Sequence, residues 1–390
     1  MSLRILNISN TCTGCGACVS NCPKKALSLS YDEDGFYTPH IDEKLCIDCK
    51  ACEGVCHVLN NEVPHSPSRN YTAYMVKAND RRIVKNSSSG GAFTLLANSI
   101  LSNGGVVYGA RYNYDKERLE HASTDDVPLS ELQKSKYIES FMGNTFSDVR
   151  EKLRTGRQVL FVGTPCQVEG LHTFLTKRKV DTSNLLLVRF VCHGVPSNKF
   201  FTEYKHYEEK KKGCSMTYFD FRPKTRGWRS SDWLMRFADG SKDKGPYYYY
   251  YYYYYFQLNT LLRCCCYNCH RVLHEVADIT IADFWGIGTY RPENKDQEGI
   301  SMMLVHSCKA NTYIEAIRNA CSIEEIPMSA LDYIYREVND REQYKEMRQS
   351  NIEEVRRIGY MPFVKKTLRN NIMISRLKGK LRNLLKAIYK

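Results

Sequence analysis

Cys12-Thr13-Gly14-Cys15-Gly16-Ala17-Cys18-Val19-Ser20-Asn21-Cys22-Pro23 and Cys46-Ile47-Asp48-Cys49-Lys50-Ala51-Cys52-Glu53-Gly54-Val55-Cys56-His57 repeat one pattern. In each, three cysteines are separated by pairs of residues and a fourth follows after three more. Three thiolates at that spacing can wrap three corners of one cubane, and the fourth points away to the neighbouring cluster. The pattern assigns Cys12, Cys15, Cys18 and Cys56 to one [4Fe-4S] cluster, and Cys46, Cys49, Cys52 and Cys22 to a second. Gly14 and Gly16 stand between ligands, where the backbone turns tightly and its amides should reach cluster sulfides. One position departs from the pattern: Pro23 follows Cys22, but His57 follows Cys56. Zinc usually takes two Cys-x-x-Cys pairs that close one tetrahedron, not two four-cysteine runs. Disulfides are not expected, because Met1-Ser2-Leu3-Arg4 leads almost directly into the first run without a targeting segment.

This two-cluster, ferredoxin-type unit ends near Glu62, and Val63-Pro64-His65-Ser66-Pro67-Ser68 reads as a linker. The 390 residues then divide into a two-cluster domain over 1–66, a larger domain over 67–345 and a basic tail over 346–390. No stretch of about 18 apolar residues occurs, so no transmembrane helix is expected. Reduced thiolates point to a cytoplasmic compartment. The net charge is +13, yet 356–390 holds Arg and Lys and no acidic residue, so most of the excess is terminal. Leu377, Leu381, Leu384, Leu385 and Ile388 recur at helical spacing, with Lys378, Lys380, Arg382 and Lys386 between them: a basic amphipathic helix. It rests either on an anionic membrane surface, at roughly 1 kcal/mol per basic residue and leaving the protein peripheral there, or on the body or a partner. Nucleic acid is not an expected partner, because no base-reading motif accompanies the charge.

The larger domain reads as short buried strands over 106–110, 158–162, 185–191, 279–282 and 302–305, with amphipathic helices over 93–101, 146–154 and 199–212 between them. The expected class is α+β: the two-cluster domain, a mixed α/β layered domain and a basic C-terminal helix. Ser87-Ser88-Ser89-Gly90-Gly91-Ala92-Phe93 precedes a helix, where small residues admit a phosphate and the helix N-terminus favours an anion; Ser-rich caps are also common without one. Cys166 and Cys192 each follow an apolar strand, and Cys266-x-x-Cys269 is a close pair. Brought together, these four would hold a third [4Fe-4S] cluster or a zinc; buried apolar cysteine is the plainer reading. Cys214, Cys264, Cys265, Cys308 and Cys321 read as structural. The run from Tyr247 to Tyr255 serves no catalytic chemistry and reads as a low-complexity insertion.

Taken together, the residues resemble the coenzyme F420 hydrogenase/dehydrogenase beta subunit family, with a two-cluster ferredoxin domain in front. The resemblance covers about residues 70 to 310. It rests on Ser88-Ser89-Gly90-Gly91-Ala92-Phe93; Lys134-Ser135-Lys136-Tyr137; Gly163-Thr164-Pro165-Cys166-Gln167-Val168-Glu169-Gly170-Leu171; Cys192-His193-Gly194-Val195-Pro196-Ser197; Arg222-x-Lys224 leading to Gly227-Trp228; Cys266-Tyr267-Asn268-Cys269; and Asp278-Ile279-Thr280 to Asp283-Phe284-Trp285-Gly286.

The resemblance implies an oxidoreductase that binds FAD and a [4Fe-4S] cluster and exchanges electrons with coenzyme F420 or another small-molecule acceptor. It favours the cluster for Cys166, Cys192, Cys266 and Cys269. It makes Ser88, Ser89, Gly90, Gly91, Ser135 and Lys136 the expected flavin contacts, with the amides and Lys136 neutralising a pyrophosphate. His193 could donate protons or orient the flavin, and Asp283 could bond a ribose or flavin group. Trp285 could stack on a ring, and Arg222, Lys224 and Trp228 could receive an anionic substrate. Each of these residues also has a structural reading in a turn, a core or a local ion pair. A redox partner protein is expected. The alternatives are an electron-transfer subunit whose substrate chemistry lies on that partner, and a non-catalytic scaffold.

Overall fold

The computed structural model describes residues 3–60, 71–246, 251–269, 271, 276–294, 296–331 and 341–367. The 63–68 linker, Tyr247 to Tyr250 and the amphipathic pattern from Leu377 to Ile388 lie outside the described residues.

In the N-terminal unit, β1 (Leu27–Tyr31) and β2 (Tyr37–Ile41) pair antiparallel beside short helices at Ala17–Asn21 and Ala51–Gly54. The larger domain continues with β3 (Thr72–Ala78), β4 (Val106–Asn113), β5 (Arg118–Ser123), β6 (Val159–Gly163) and β7 (Leu185–Phe190). Next come β8 (Met216–Asp220), β9 (Asp232–Phe237) and β10 (Lys242–Pro246), a small antiparallel sheet of its own. Last are β11 (Ile279–Asp283), β12 (Ser301–Val305) and β13 (Cys321–Glu325). The main sheet has eight strands in the order β13-β3-β12-β11-β7-β6-β4-β5. Its four central strands, β11, β7, β6 and β4, are mutually parallel; the flanking pairs are antiparallel. The class is thus α+β.

The central strands are continuous apolar runs because both faces are covered. Val107, Leu160, Val162, Leu186 and Val188 meet Leu95, Leu96 and Ile100 of helix Ala92–Leu101 and Ile314 of helix Cys308–Ile317. Their neighbours Val106, Tyr108, Val159, Phe161, Leu185 and Leu187 meet helices Thr145–Arg154 and Pro165–Lys177 on the other side. Strand alternation sorts the two sets. Ala17 and Val55 of the N-terminal unit join this second cluster, so that unit packs on the same face of the sheet.

A third core lies under the small sheet. Tyr252, in helix Tyr251–Gln257, is fully buried there. Its ring centroid is 4.7 Å from that of Phe200, and its hydroxyl donates to the Tyr137 carbonyl at 2.6 Å. This part of the tyrosine run is therefore core, not an insertion appended to the fold. The basic tail changes character too. Helix Lys345–Ile358 and the helical stretch 360–367 bury Ile352, Val355, Tyr360, Phe363 and Val364 in the same cluster. Arg348 and Arg356 reach Asp34 of the N-terminal unit at 2.8 and 2.7 Å, and Tyr360 donates to the Asp34 carbonyl at 2.7 Å. The expected boundary at 346 thus falls inside a packed element. Among the described residues no helix is long and apolar enough to cross a membrane.

Candidate redox site

The two N-terminal runs fold so that each sends its last cysteine across to the other. Burial raises the thiol pKa of Cys15, Cys18 and Cys56, and Cys12 lies close enough to add to the rise at each of the three. Burial, helped by Cys56 and Cys12, pushes Cys15 up to about 12. Cys22, Cys46, Cys49 and Cys52 line a second, separate hollow, and Cys49 is exposed. The crossed sets fit two cubanes. Gly14 has φ +68°, and a Cβ there would lie 2.8 Å from Glu139 Oε1 and 3.0 Å from the Tyr37 carbonyl. Its glycine is needed for close approach to the larger domain as well as for the turn.

The second cysteine set gathers at one edge of the main sheet. Because β6, β7 and β11 are parallel neighbours, their C-terminal ends emerge together, where open α/β sheets bind ligands. Cys166 follows β6 in the first turn of helix Pro165–Lys177. There Gln167 Oε1 accepts from the Thr164 amide at 2.9 Å, and Thr164 Oγ1 lies 3.1 Å from Cys166 Sγ. Cys192 lies just past the end of β7 and accepts a 3.4 Å hydrogen bond from the Gly194 amide. Asp283 ends β11. The 3₁₀ turn Cys264–Cys266 and Cys269 complete the set. Cys166, Cys192, Cys266 and Cys269 all line one cavity of about 680 Å³, within the roughly 300–1,000 Å³ range of cofactor pockets. Burial is the main cause of the raised pKa at Cys166, Cys269 and Cys192, the last reaching about 12; binding iron there would displace those protons. Among the described residues no three cysteine sulfurs lie within 4.8 Å of one another. A tetrahedral zinc with Zn–S near 2.3 Å needs them roughly 3.8 Å apart. Four thiolates are the donor set of an iron–sulfur cluster or of a zinc. Cys265, read from sequence as structural, also faces this cavity.

Ser88, Ser89, Gly91, Ser135 and Lys136 line the same cavity. Ser88 Oγ accepts from the Ser135 amide at 2.8 Å, tying the two loops together. Lys136 Nζ donates to the main-chain carbonyls of Gln133 at 2.6 Å and Lys134 at 3.3 Å. Burial pushes its pKa from 10.5 down to about 7. A buried ammonium facing a cavity is what an anionic group would restore to full charge. Gly90 is placed differently. A Cβ on it would sit 2.3 Å from the Val76 carbonyl and 2.6 Å from the Ser301 amide, so this glycine lets the loop cross β3 and β12. Its amide donates to Ser301 Oγ at 2.9 Å.

His193 lies on the wall, and burial, then Arg341, lowers its pKa to about 4. Asp283 bonds Arg222 Nη1 at 2.5 Å through one oxygen and Trp228 Nε1 at 2.7 Å through the other. Trp285 stacks on Trp228 with centroids 4.8 Å apart, and the Arg222 guanidinium lies 4.8 Å from the Trp285 ring. Trp228 is fully buried. Lys224 donates to the carbonyls of Ser89 at 2.7 Å, Val84 at 3.0 Å and Glu298 at 2.5 Å. It holds the serine loop from behind, and together with Trp228 it is a support and not the substrate contact considered from sequence.

At the junction of the two units, Arg263 and Glu139 leave no signal in the sequence pattern, and His57 and Glu169 each leave one without a stated role. Buried Arg263, just before Cys264, pairs with Glu139 and donates to the carbonyls of Cys12 at 2.7 Å and Tyr37 at 2.8 Å. Burial pushes Glu139 up to about 7 against the pull of Arg263. His57, the departure from the cysteine pattern, meets Glu169 at 2.9 Å.

Two family models match separate parts of the chain. The family model for the C terminus of the coenzyme F420 hydrogenase/dehydrogenase beta subunit matches residues 156–330, and a 4Fe-4S dicluster domain matches residues 11–60. The uncharacterized ferredoxin MJ0722 of Methanocaldococcus jannaschii is 39% identical over 56 residues, which cover 14% of this chain and 71% of that protein. The uncharacterized protein MJ1349 of the same organism is 25% identical over 199 residues, covering 43% of this chain and 54% of that protein, so the chain spans about half of its length. A chain of the F420-reducing [NiFe] hydrogenase complex from Methanosarcina barkeri superposes with a TM-score of 0.46 at 16% identity, over 72% of this chain and 91% of that one. Residues 156–330 of the chain thus match the C terminus of the coenzyme F420 hydrogenase/dehydrogenase beta subunit, and residues 11–60 form a 4Fe-4S dicluster domain like that of the ferredoxins it resembles.

Proposed function

We propose that the chain is an iron–sulfur flavoprotein oxidoreductase that exchanges electrons between a protein partner and a two-electron acceptor or donor, coenzyme F420 or another small molecule. The reading is carried by one observation. A single cavity has Cys166, Cys192, Cys266 and Cys269 on its wall together with Ser88, Ser135 and Lys136. Bound there, an iron–sulfur cluster supplies one-electron transfer and FAD supplies the exchange between one- and two-electron chemistry. In this reading the four thiolates hold the third cluster, and Lys136 and the serine-loop amides receive the FAD pyrophosphate. Trp285 offers a ring face, while Asp283, through Arg222 and Trp228, keeps that wall in place. His193, whose lowered pKa of about 4 keeps its ring neutral near pH 7, presents an imidazole that would orient the flavin by hydrogen bonding.

The partner would dock where the second N-terminal cysteine set reaches the surface. Cys49 is exposed, and Leu45 and Ile47 beside it are 50% and 59% exposed. Exposed Lys24, Lys44 and Lys50 and exposed Asp42, Glu43 and Asp48 lie in the same stretches, so the patch offers an apolar centre with charges of both signs around it. The compartment is reducing and cytoplasmic in this reading, and a membrane role for the 377–388 segment is tested by co-sedimentation with anionic vesicles.

The deciding measurement is the iron, sulfide, zinc and flavin content of anaerobically purified protein. About twelve irons and one flavin per chain are expected from three cubanes. About eight irons without flavin would sink the third-cluster and flavin assignments and leave a two-cluster domain joined to a partner-dependent body.

A further inference from the structure

Glu169 lies three residues after Cys166 in helix Pro165–Lys177, and its side chain is 3% exposed. Its Oε2 meets His57 Nδ1 at 2.9 Å and Arg271 Nε at 2.9 Å. Each partner stands beside a cysteine of a different group. His57 directly follows Cys56, and Arg271 is two residues past Cys269. The other ring nitrogen of His57 lies 3.1 Å from Thr13 Oγ1, next to Cys12. One residue further along the helix, a Cβ on Gly170 would lie 2.9 Å from Cys15 Sγ. Cys166 and Gly170 are four residues apart, about 6 Å of helix rise. One helix therefore carries a cysteine of the internal group in its first turn and touches a cysteine of the N-terminal group one turn later.

We propose that the Glu169 carboxylate, held by His57 and Arg271, is a positioning bracket that sets the distance and orientation between the Cys12/Cys15/Cys18/Cys56 centre and the Cys166/Cys192/Cys266/Cys269 centre. The departure at residue 57 then has a reason: proline has no side-chain hydrogen-bonding group and could not reach Glu169. Stability alone does not explain the arrangement, because buried ion pairs roughly break even against apolar packing of equal volume. What this one adds is a directional link between two segments that each follow a cysteine of a different centre. The proposal rests on the reading that the internal cysteines hold a cluster.

The test uses the full chain, anaerobically loaded, as wild type, Glu169→Gln, His57→Pro and Gly170→Ala. Cys192→Ser, which removes an internal ligand, provides the reference. Iron content is measured first, then the low-temperature EPR spectrum of the fully reduced protein. The magnetic splitting present in the wild type and missing from Cys192→Ser reports the proximity of the two centres. Glu169→Gln and His57→Pro are expected to keep about twelve irons and to lose that splitting. Retained irons with an unchanged splitting would overturn the proposal. If both variants lose iron, Gly170→Ala decides, because it keeps all three bracket residues while crowding Cys15: an unchanged splitting supports the bracket as what sets the geometry, and a changed one gives that role to the helix contact at Gly170 and overturns it. About eight irons in the wild type would instead remove the internal centre, and the bracket with it.

Discussion

Flavin binding should weaken as pH rises above 7, and the cause should be Lys136. Burial lowers the pKa of this lysine from 10.5 to about 7, with Asp220 opposing the shift and Lys134 adding to it. At 1.36 kcal/mol per pH unit, the gap corresponds to about 5 kcal/mol of disfavoured charge. A pyrophosphate beside the ammonium would offset that penalty, so the bound lysine has a higher pKa than the free one. Binding then takes up a proton above pH 7. Affinity is full below about pH 7 and falls by up to about tenfold per pH unit above it, until the bound pKa is reached. In the apoprotein the sign is opposite. The lowered pKa makes the contribution of Lys136 to stability poorest below about pH 7, and it recovers as pH rises toward the unfolded value of 10.5. The assay is a fluorescence titration of apoprotein with FAD from about pH 6 to pH 9. Wild type should lose up to about 100-fold in affinity between pH 7 and 9. Lys136→Met should bind weakly with no such slope, and Lys136→Arg should bind without it because guanidinium does not titrate there. A Lys136→Met protein that keeps the wild-type slope would refute the assignment.

Other outcomes follow from the same geometry. Cys166→Ser and Cys192→Ser should each cost about four irons per chain without disturbing the N-terminal absorption; a full iron count would remove both residues from the ligand set. Ile47→Asp should slow reduction by a protein donor several-fold while reduction by dithionite is unchanged, as stopped-flow absorbance would record; equal slowing of both would place the donor elsewhere. Asp34→Ala leaves the Arg348 side chain, 6% exposed, without its carboxylate and should cost about 3 kcal/mol in denaturant unfolding. Arg356→Ala, at a side chain 44% exposed, should cost well under about 1 kcal/mol; equal losses would contradict the clamp.

The parts legible in sequence are those written in short stretches of chain. Thiolates that wrap one cubane must follow one another within a few residues, so the two N-terminal runs announce their ligand chemistry in their spacing. Strands buried on both faces must be apolar throughout, so β4, β6, β7, β11 and β12 stood out, each to within a few residues of its observed ends. Strand ends also mark where side chains leave the core, and Cys166 and Cys192 stand at such ends in the sequence itself.

Spacing could not show which of these ends meet. The parallel order β11-β7-β6 brings Cys166, Cys192 and Asp283 to one edge, and only that order turns separated motifs into a single cavity wall. Arg263 and Glu139 are 124 positions apart, and His57 and Glu169 are 112 apart; neither pair leaves a periodicity to read. Gly90 looked like a phosphate loop residue and proved to be a crossing point under two strands, while Lys224 looked like an anion contact and proved to be a strut. Tyr252 looked like low complexity and is buried core. In each case composition told what chemistry a side chain can perform. Which neighbour it performs it with depends on how distant strands, helices and the two units pack, and that is a property of the folded chain alone.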